Sequence, residues 1–124
     1  MPRISGSVTY LNIGQNPLRA LPELALPSLR ELRAESSQLV DLPRLPPSLR
    51  ELHVSGNLFE ELPRAVLEMP LLEVLDLRRN RFAELPEEIA SLPNLRKLDL
   101  RWNKLHRVPR AVQELQARGC VVLS

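Results

Sequence analysis

The sequence predicts an α/β solenoid, in which short parallel strands stack on the concave side and the chain returns along the convex side. Leucine supplies 27 of the 124 residues, whereas Phe, Tyr and Trp together supply four. Proline is frequent, at 12, and glycine is scarce, at 4, so we expect many turns but few residues with positive φ. The apolar residues also recur at a nearly fixed period, which indicates a repeat protein.

Five units align on one another, with starts that lie 21, 20, 23 and 23 residues apart. Each unit opens with an apolar residue, and further apolar residues follow three, five, ten and thirteen positions later, the last of them directly before a proline. A polar residue, Asn in four units, stands eight positions after each opening. The openings are Val8, Leu29, Leu49, Leu72 and Leu95, and the polar residues are Asn16, Ser37, Asn57, Asn80 and Asn103.

One short strand is expected in each unit. Apolar and polar residues alternate in Leu75-Asp76-Leu77 and in Leu98-Asp99-Leu100, which is typical of a strand with one buried face. The recurring Asn suits a tight bend after the strand, where its amide can bond backbone groups that the turn leaves unpaired. We therefore predict a parallel sheet with a ladder of Asn side chains along the stack.

The return segments are predicted to be of two kinds. Residues 22–27 and 43–47 are too short and too rich in proline for a helix, so they should be extended. Residues 63–70 and 86–93 begin with Pro and space apolar groups three apart, which predicts a turn or two of helix. Because this outer wall is bulkier than the strand wall, the stack should bend into a short arc.

The pattern L-x-x-L-x-L-x-x-N-x-L at this period resembles the leucine-rich repeat family over residues 8–115. The resemblance implies a right-handed solenoid. Residues 42–49, Leu-Pro-Arg-Leu-Pro-Pro-Ser-Leu, are similar to the 20-residue repeats of bacterial type III effectors, including the recognition domains of bacterial ubiquitin ligases. The 23-residue units, such as residues 72–94, are similar to intracellular repeats of Ras-binding scaffold proteins.

The predicted organisation has three parts. Residues 1–7 form a thin N-terminal cap with Ile4 as its apolar plug, residues 8–115 form five repeats, and residues 116–124 form a closing strand. Val112 and Leu115 are expected on a last outer helix that ends at Gly119. Since the cap is thin, the first repeat is expected to be the end that frays.

The residues around the inner leucines should line the concave surface, and a cluster in the fourth and fifth units is predicted to bind a protein partner. Trp and Arg are enriched at interface hot spots, and Trp102 is the sharpest candidate. The competing interpretation is a solvated surface, with Asp76 and Asp99 paired to Arg78 and Arg101 and with Trp102 packed over Arg79. The predicted site comprises Asp76, Arg78, Arg79, Asp99, Arg101 and Trp102.

No enzyme site, metal site or cofactor is predicted. His53 should face the concave surface beside Glu51 as a solvated side chain, with no second metal ligand converging on it. Phe59 and Phe82 occupy leucine positions and should be core. The single Cys120 cannot form an intramolecular disulfide, and none of the four glycines builds a phosphate-binding loop.

Charge and hydropathy narrow the remaining classes of function. Seventeen basic against fifteen acidic residues give a net charge of +2, so bulk charge does not predict nucleic-acid binding. No stretch is long and apolar enough to span a membrane, and the N-terminal residues lack the apolar core of a signal peptide. The expected context is a reducing cytoplasm, with a secreted effector as the alternative.

The sequence therefore predicts a monomeric adaptor whose concave face binds a protein. The alternative is the substrate-recognition domain of a bacterial effector such as a ubiquitin ligase. In those effectors the ligase activity belongs to a separate domain with a nucleophilic Cys, and no segment of this sequence resembles that domain. A third alternative is a structural module without a dedicated partner. The preference for Arg, at 15, over Lys, at 2, favours a GC-rich bacterial source.

Overall fold

A computed structural model describes residues 8–107 and 109–124. Its six strands of three residues each form one parallel sheet in chain order. The strands are β1 (Tyr10–Asn12), β2 (Glu31–Arg33), β3 (Glu51–His53), β4 (Val74–Asp76), β5 (Lys97–Asp99) and β6 (Val121–Leu123). The central apolar residues are directly opposite one another from Leu11 through Leu98 to Val122, so the predicted register is confirmed.

The return segments follow the two predicted kinds. Residues 22–27 and 43–47 contain no helix, as expected from their prolines, and each segment ends at a short turn. Helix α1 (Arg64–Leu67) follows Pro63, and a 3₁₀ helix (Glu87–Ser91) follows Pro86. Helix α2 (Arg110–Ala117) follows Pro109 and is amphipathic, with Ala111, Val112 and Leu115 buried.

The core lies between the sheet and these return segments. Leu32, Leu52, Leu75 and Leu98, the central residues of β2 to β5, are fully buried. Phe59 and Phe82 are also fully buried, and their rings stack with centroids 6.4 Å apart and planes 9° from parallel. Their assignment to the core is confirmed, and the stack continues the leucine layers from the third repeat into the fourth.

The predicted Asn ladder joins successive repeats. Oδ1 of Asn80 accepts the amide of Phe59 at 3.2 Å, while its Nδ2 donates to the carbonyls of Val54 and Leu77 at 3.0 and 3.1 Å. Asn57 and Asn103 make equivalent bonds to the repeats before them. Each amide thus satisfies backbone groups in its own repeat and in the preceding one, so the bends are held in register.

The expectation of few positive-φ residues is wrong. Six non-glycine residues have φ between 52° and 61°, in addition to Gly56 and Gly119. Five of the eight occupy the same position in successive repeats, three residues after the last residue of each strand. They are Gln15, Ser36, Gly56, Arg79 and Trp102. Because the frame imposes the same left-handed turn on every repeat, each non-glycine residue there accepts about 1–2 kcal/mol of backbone strain.

The two ends of the stack differ. In the first repeat Leu11 and Ile13 are only half-buried, whereas their counterparts in the second repeat are buried. At the other end β6 pairs with β5, and Gly119 ends α2 with φ 93° as expected. The predicted cap at residues 1–7, with Ile4, and the leucine-position Val108 lie outside the described residues.

Candidate protein-binding surface

The strands arrange outward-facing side chains in rows across the sheet, and we call this surface the concave face. One row is formed by the last residue of each strand, with Arg33 opposite His53, His53 opposite Asp76, and Asp76 opposite Asp99. The next rows contain the residues that follow the strands, ending in Arg101 and Trp102 in the fifth repeat. Parallel pairing in register therefore brings the predicted site residues of the fourth and fifth repeats side by side.

Two aspartates anchor two arginines in this region. Nε and Nη2 of Arg78 donate to the carboxylate of Asp76 at 2.9 and 2.8 Å, and Arg101 holds Asp99 at 3.0 and 2.8 Å in the same bidentate way. Both carboxylates are buried, with side chains 7% exposed. A further contact of 3.5 Å joins Nε of Arg78 to Asp99. The four residues form a continuous ion-pair network, and the predicted pairing is confirmed.

Burial and pairing act in opposite directions on Asp76. Burial alone would raise the pKa of this carboxyl, but the interaction with His53 and the hydrogen bonds from the side chain and amide of Arg78 outweigh it. The pKa of Asp76 is therefore held well below its usual range, and the carboxylate stays charged at neutral pH. A permanently charged, bidentate acceptor fixes the guanidinium of Arg78 at the surface.

Trp102 lies on the outside of this network. Its side chain is 58% exposed, and the guanidinium carbons of Arg79 and Arg101 are 4.9 and 5.2 Å from the ring centroid. These distances are within the range of a cation–π interaction. The packing of Trp102 over Arg79 is thus observed, and we call Arg79, Arg101 and Trp102 the Arg–Trp cluster.

The charges in the Arg–Trp cluster are unevenly compensated. Arg101 is neutralised by Asp99, but within the described residues no carboxylate lies within 4 Å of Arg79. Arg79 also occupies the strained left-handed turn, as does Trp102. A bulky side chain at such a position is unusual, and the two residues together present an aromatic plane beside a free positive charge.

The expectation for His53 is wrong. Its side chain is only 13% exposed, with Nε2 3.4 Å from Oε1 of Glu51 and Nδ1 3.7 Å from Oδ2 of Asp76. Interaction with Asp76 and with Glu51 raises the pKa of His53, although burial and Arg33 act against the rise. His53 is therefore part of the ion-pair network and not a solvated side chain.

Contrary to the prediction, other potential metal ligands do converge on His53. Glu31, Glu51 and His53 each offer one ligand atom, and these atoms lie within 4.8 Å of one another. However, Nε of Arg33 already contacts Glu31 at 2.7 Å. A bound cation would have to displace this guanidinium and compete with the proton on His53, so the residues fit an ion-pair network better than a metal centre.

Two residues in this region were not singled out from the sequence. Glu35 is 3.4 Å from Nη1 of Arg33 and accepts a hydrogen bond from Oγ of Ser55 at 3.1 Å. The signal that could have found Glu35 is that two carboxylates, Glu31 and Glu35, flank the single Arg33 in this stretch of the second repeat. At the opposite end, Cys120 is buried and desolvation raises the pKa of its thiol, so it is a poor nucleophile.

Comparisons with known proteins agree with this architecture. A family profile describing the leucine rich repeat matches residues 47–105. The chain therefore contains leucine-rich repeats. Among the described leucine-rich repeats the profile covers the third, the fourth and the first half of the fifth, where Asn57, Asn80, Asn103 and the stacked Phe residues are found.

Solved leucine-rich-repeat structures from bacteria are similar to the chain. YopM from Yersinia enterocolitica matches 83% of it with 35% sequence identity and a TM-score of 0.68. A Shigella effector leucine-rich-repeat domain matches 84% with 25% identity and a TM-score of 0.67. A leucine-rich-repeat protein of Leptospira interrogans matches 78% with 28% identity and a TM-score of 0.66.

The match covers only part of each of these proteins. The chain spans 22% of the YopM chain, 44% of the Shigella chain and 26% of the Leptospira chain. No curated protein sequence matches the chain at a significant level. Among the described residues the longest helix, α2, has eight residues, and none of the helices there is long and apolar enough to cross a membrane.

Proposed function

We propose that the chain is a protein-interaction module that binds a protein partner on its concave face, with the Arg–Trp cluster at the centre of the contact. Leucine-rich-repeat domains are commonly non-catalytic interaction modules. The observation that carries the proposal is the exposed Trp102 stacked beside Arg79, because a large exposed ring next to an uncompensated charge is the composition of an interface hot spot.

The rigidity of the surroundings supports the same proposal. Arg78 and Arg101 are fixed by bidentate bonds to buried carboxylates, and the turns behind them are held by Asn80 and Asn103. A surface that is ordered before binding loses less conformational entropy on association. In this proposal the chain acts as a scaffold that presents side chains already ordered for binding. It does not need to catalyse a reaction on its partner.

A second candidate function is substrate recognition within a longer effector. It is favoured by the similarity to bacterial effectors and by the small share of their chains that the match covers. In this case the same concave face would select the substrate, and a separate domain would modify it. A gene in which a catalytic-cysteine domain follows these repeats in frame would favour this candidate over a free adaptor.

The test is affinity capture with a variant of the Arg–Trp cluster. The immobilised chain and its Trp102→Ala/Arg79→Glu variant are incubated with lysate from the source cells, and bound proteins are identified by mass spectrometry. We expect a native partner to be captured by the wild type and lost with the variant. The stacking lost in the variant contributes about 1 kcal/mol or less at an exposed site, so the fold should survive.

A matched control makes the same kinds of change away from the concave face. Val40→Ala/Arg64→Glu alters an exposed apolar residue and an exposed arginine of α1. This control should capture the partner as the wild type does. Equal capture by the wild type and the Trp102/Arg79 variant would show that the Arg–Trp cluster is not the binding site, and no specific capture by either would favour a purely structural module.

A further inference from the structure

The concave face contains a trough that carries opposite charges in its second-repeat and fourth-repeat parts. A depression of about 660 Å³ follows the ends of β1 to β4. Gly14 and Gln15 border it in the first repeat, Glu35 lies in the second repeat, and Arg78 and Arg79 lie in the fourth, with the short Ser36 and Gly56 between the charged residues. The part of the trough that carries charge therefore runs from Glu35, its negative end, to Arg79, its positive end. We call this depression the bipolar trough.

The negative end carries more charge than its local partners neutralise. Arg33 is shared between Glu31 at 2.7 Å and Glu35 at 3.4 Å, so one guanidinium serves two carboxylates. Glu51 is the third carboxylate in this part of the face, and its contact is with His53. An additional cation near Glu35 would therefore complete the pairing and would not have to displace a bidentate bond.

The positive end has the reverse imbalance. Arg78 is held by Asp76 and is also 3.5 Å from Asp99, so its charge is compensated. Arg79 lies beside it without a carboxylate within 4 Å among the described residues, and it rests on the ring of Trp102. The free charge at this end is a planar guanidinium, which binds carboxylates in a bidentate manner.

We propose that the bipolar trough binds an extended polypeptide segment with a basic side chain at the Glu35 end and an acidic side chain at the Arg79 end. This inference rests on the proposed function and specifies the partner. Glu35 and Arg79 belong to repeats two steps apart, which is roughly 10 Å at the usual strand spacing. A segment in the polyproline II conformation rises about 3.1 Å per residue and has three residues per turn, so two charges three residues apart lie on the same side, about 9 Å from each other.

The charge pattern selects against a polyanion. A nucleic acid or a uniformly acidic segment would satisfy Arg79, but it would also place negative charge against Glu35 and its neighbours Glu31 and Glu51. Like charges brought together in an interface oppose binding and give specificity for the complementary pattern. A segment of mixed charge satisfies both ends at once.

The test uses Trp102 as its own reporter, because it is the single tryptophan of the chain and contacts Arg79. Blocked peptides in a Gly/Ser background carry Lys and Glu three positions apart, in either order. Comparison peptides carry two Glu or two Lys at the same positions, and a short single-stranded oligonucleotide represents a polyanion. Each is titrated into the intact chain at low ionic strength while Trp102 fluorescence is recorded.

One order of the Lys and Glu peptide should bind about fivefold more tightly than the peptide with two Glu, which corresponds to one surface ion pair. Glu35→Gln should remove that preference and leave binding of the two-Glu peptide unchanged or tighter. Arg79→Gln should weaken both peptides. Glu60→Gln, an exposed carboxylate outside the trough, is the matched control and should change neither.

Two results would overturn the inference. Binding of the oligonucleotide or the two-Glu peptide as tightly as the mixed-charge peptides would show that the trough is an anion site only. No change in Trp102 fluorescence with any mixed-charge peptide at millimolar concentration would show that the trough does not bind such a segment. The capture experiment can succeed in either case, so the failure of this inference is distinguishable from the failure of the proposed function.

Discussion

At the scale of single residues, the side chains of the Asn ladder and of the Arg–Trp cluster have different roles. Asn80 bonds backbone groups of two repeats and is buried, whereas Arg79 and Trp102 point outward from equivalent turns. The ladder therefore determines stability, and the outward residues are free to determine binding. Substitutions at the two kinds of position should separate these properties.

Asn80→Ala should lower the free energy of unfolding by about 1–3 kcal/mol, because it leaves the buried amide of Phe59 without its acceptor and removes one of the two donors to the carbonyl of Val54. The control is Asn94→Ala, whose amide makes a single exposed bond to the carbonyl of Pro70. Urea unfolding followed by circular dichroism measures both. Equal losses for the two variants would contradict a structural role for the ladder.

His53 should make stability depend on pH near neutrality. The pKa of histidine in an unfolded chain is about 6.5, and in the fold it is raised by Asp76 and Glu51. The stabilising contribution is therefore complete below the unfolded pKa and is lost as the pH rises through the folded pKa. The free energy of unfolding should fall from about pH 6.5 upward.

The measurement is urea unfolding at several pH values between slightly acidic and slightly alkaline conditions. His53→Gln should flatten the dependence, and His106→Gln, which removes the only other histidine, should retain it. A wild-type stability that rises with pH over this window would contradict the assignment. The Asp76 contribution has the opposite sign, since a lowered carboxyl pKa stabilises above about pH 4 and is lost in acid.

The sequence predicted the rows of the concave face but not all contacts between them. The alternation of side chains along each strand and the position of each residue within its repeat determine which residues are neighbours. Whether Glu31 and Glu51 meet His53 depends on side-chain torsions across two strands, which the pattern does not contain. The left-handed turns at Ser36, Arg79 and Trp102 were missed for a related reason, because hydrogen bonds between repeats outweigh the local preference for glycine there.

At the scale of elements, the strands were predictable and the type of each return helix was not. Both 63–70 and 86–93 begin with proline and have similar apolar spacing, yet one contains α1 and the other a 3₁₀ helix. Helices of four or five residues have no independent stability, so packing against the sheet decides their geometry. Proline content, in contrast, correctly predicted that residues 22–27 and 43–47 contain no helix, because proline removes a hydrogen-bond donor and fixes φ.

Helix α2 should depend on one arginine at its end. Nη1 and Nη2 of Arg118 donate to the carbonyls of Ala90 and Leu92, both at 2.9 Å, and so join α2 to the preceding return segment. Arg118→Ala should cost about 1–2 kcal/mol, at the lower end for bonds from a charged donor because the site is partly exposed. In this variant, α2 and β6 should exchange hydrogen faster than they do in the wild type, whereas β2 to β4 should exchange as in the wild type.

The matched control for this element is Arg110→Ala, which removes an exposed arginine from the first turn of the same helix. It should leave the exchange of α2 close to that of the wild type. If both variants opened α2 equally, the effect would follow from lost helix propensity or charge and the two carbonyl contacts would not matter.

At the scale of the whole molecule, repetition explains the composition. Leucine fills the same inward positions in each repeat, so most of the sequence specifies the frame and carries little information about partners. The bacterial effector structures have this frame at 25 to 35% identity. The choice of partner must therefore come from the outward residues, and in this chain the candidates are the Arg–Trp cluster and the bipolar trough.

Hydrogen–deuterium exchange of the chain with and without its captured partner tests the central claim most directly. Binding through the concave face predicts slower exchange in fragments containing residues 76–81 and 99–104, which carry the Arg–Trp cluster and its supporting aspartates. The outer fragments containing residues 63–70 and 86–93 should be unchanged. Protection confined to those outer fragments, with unchanged exchange around Arg79 and Trp102, would contradict the account.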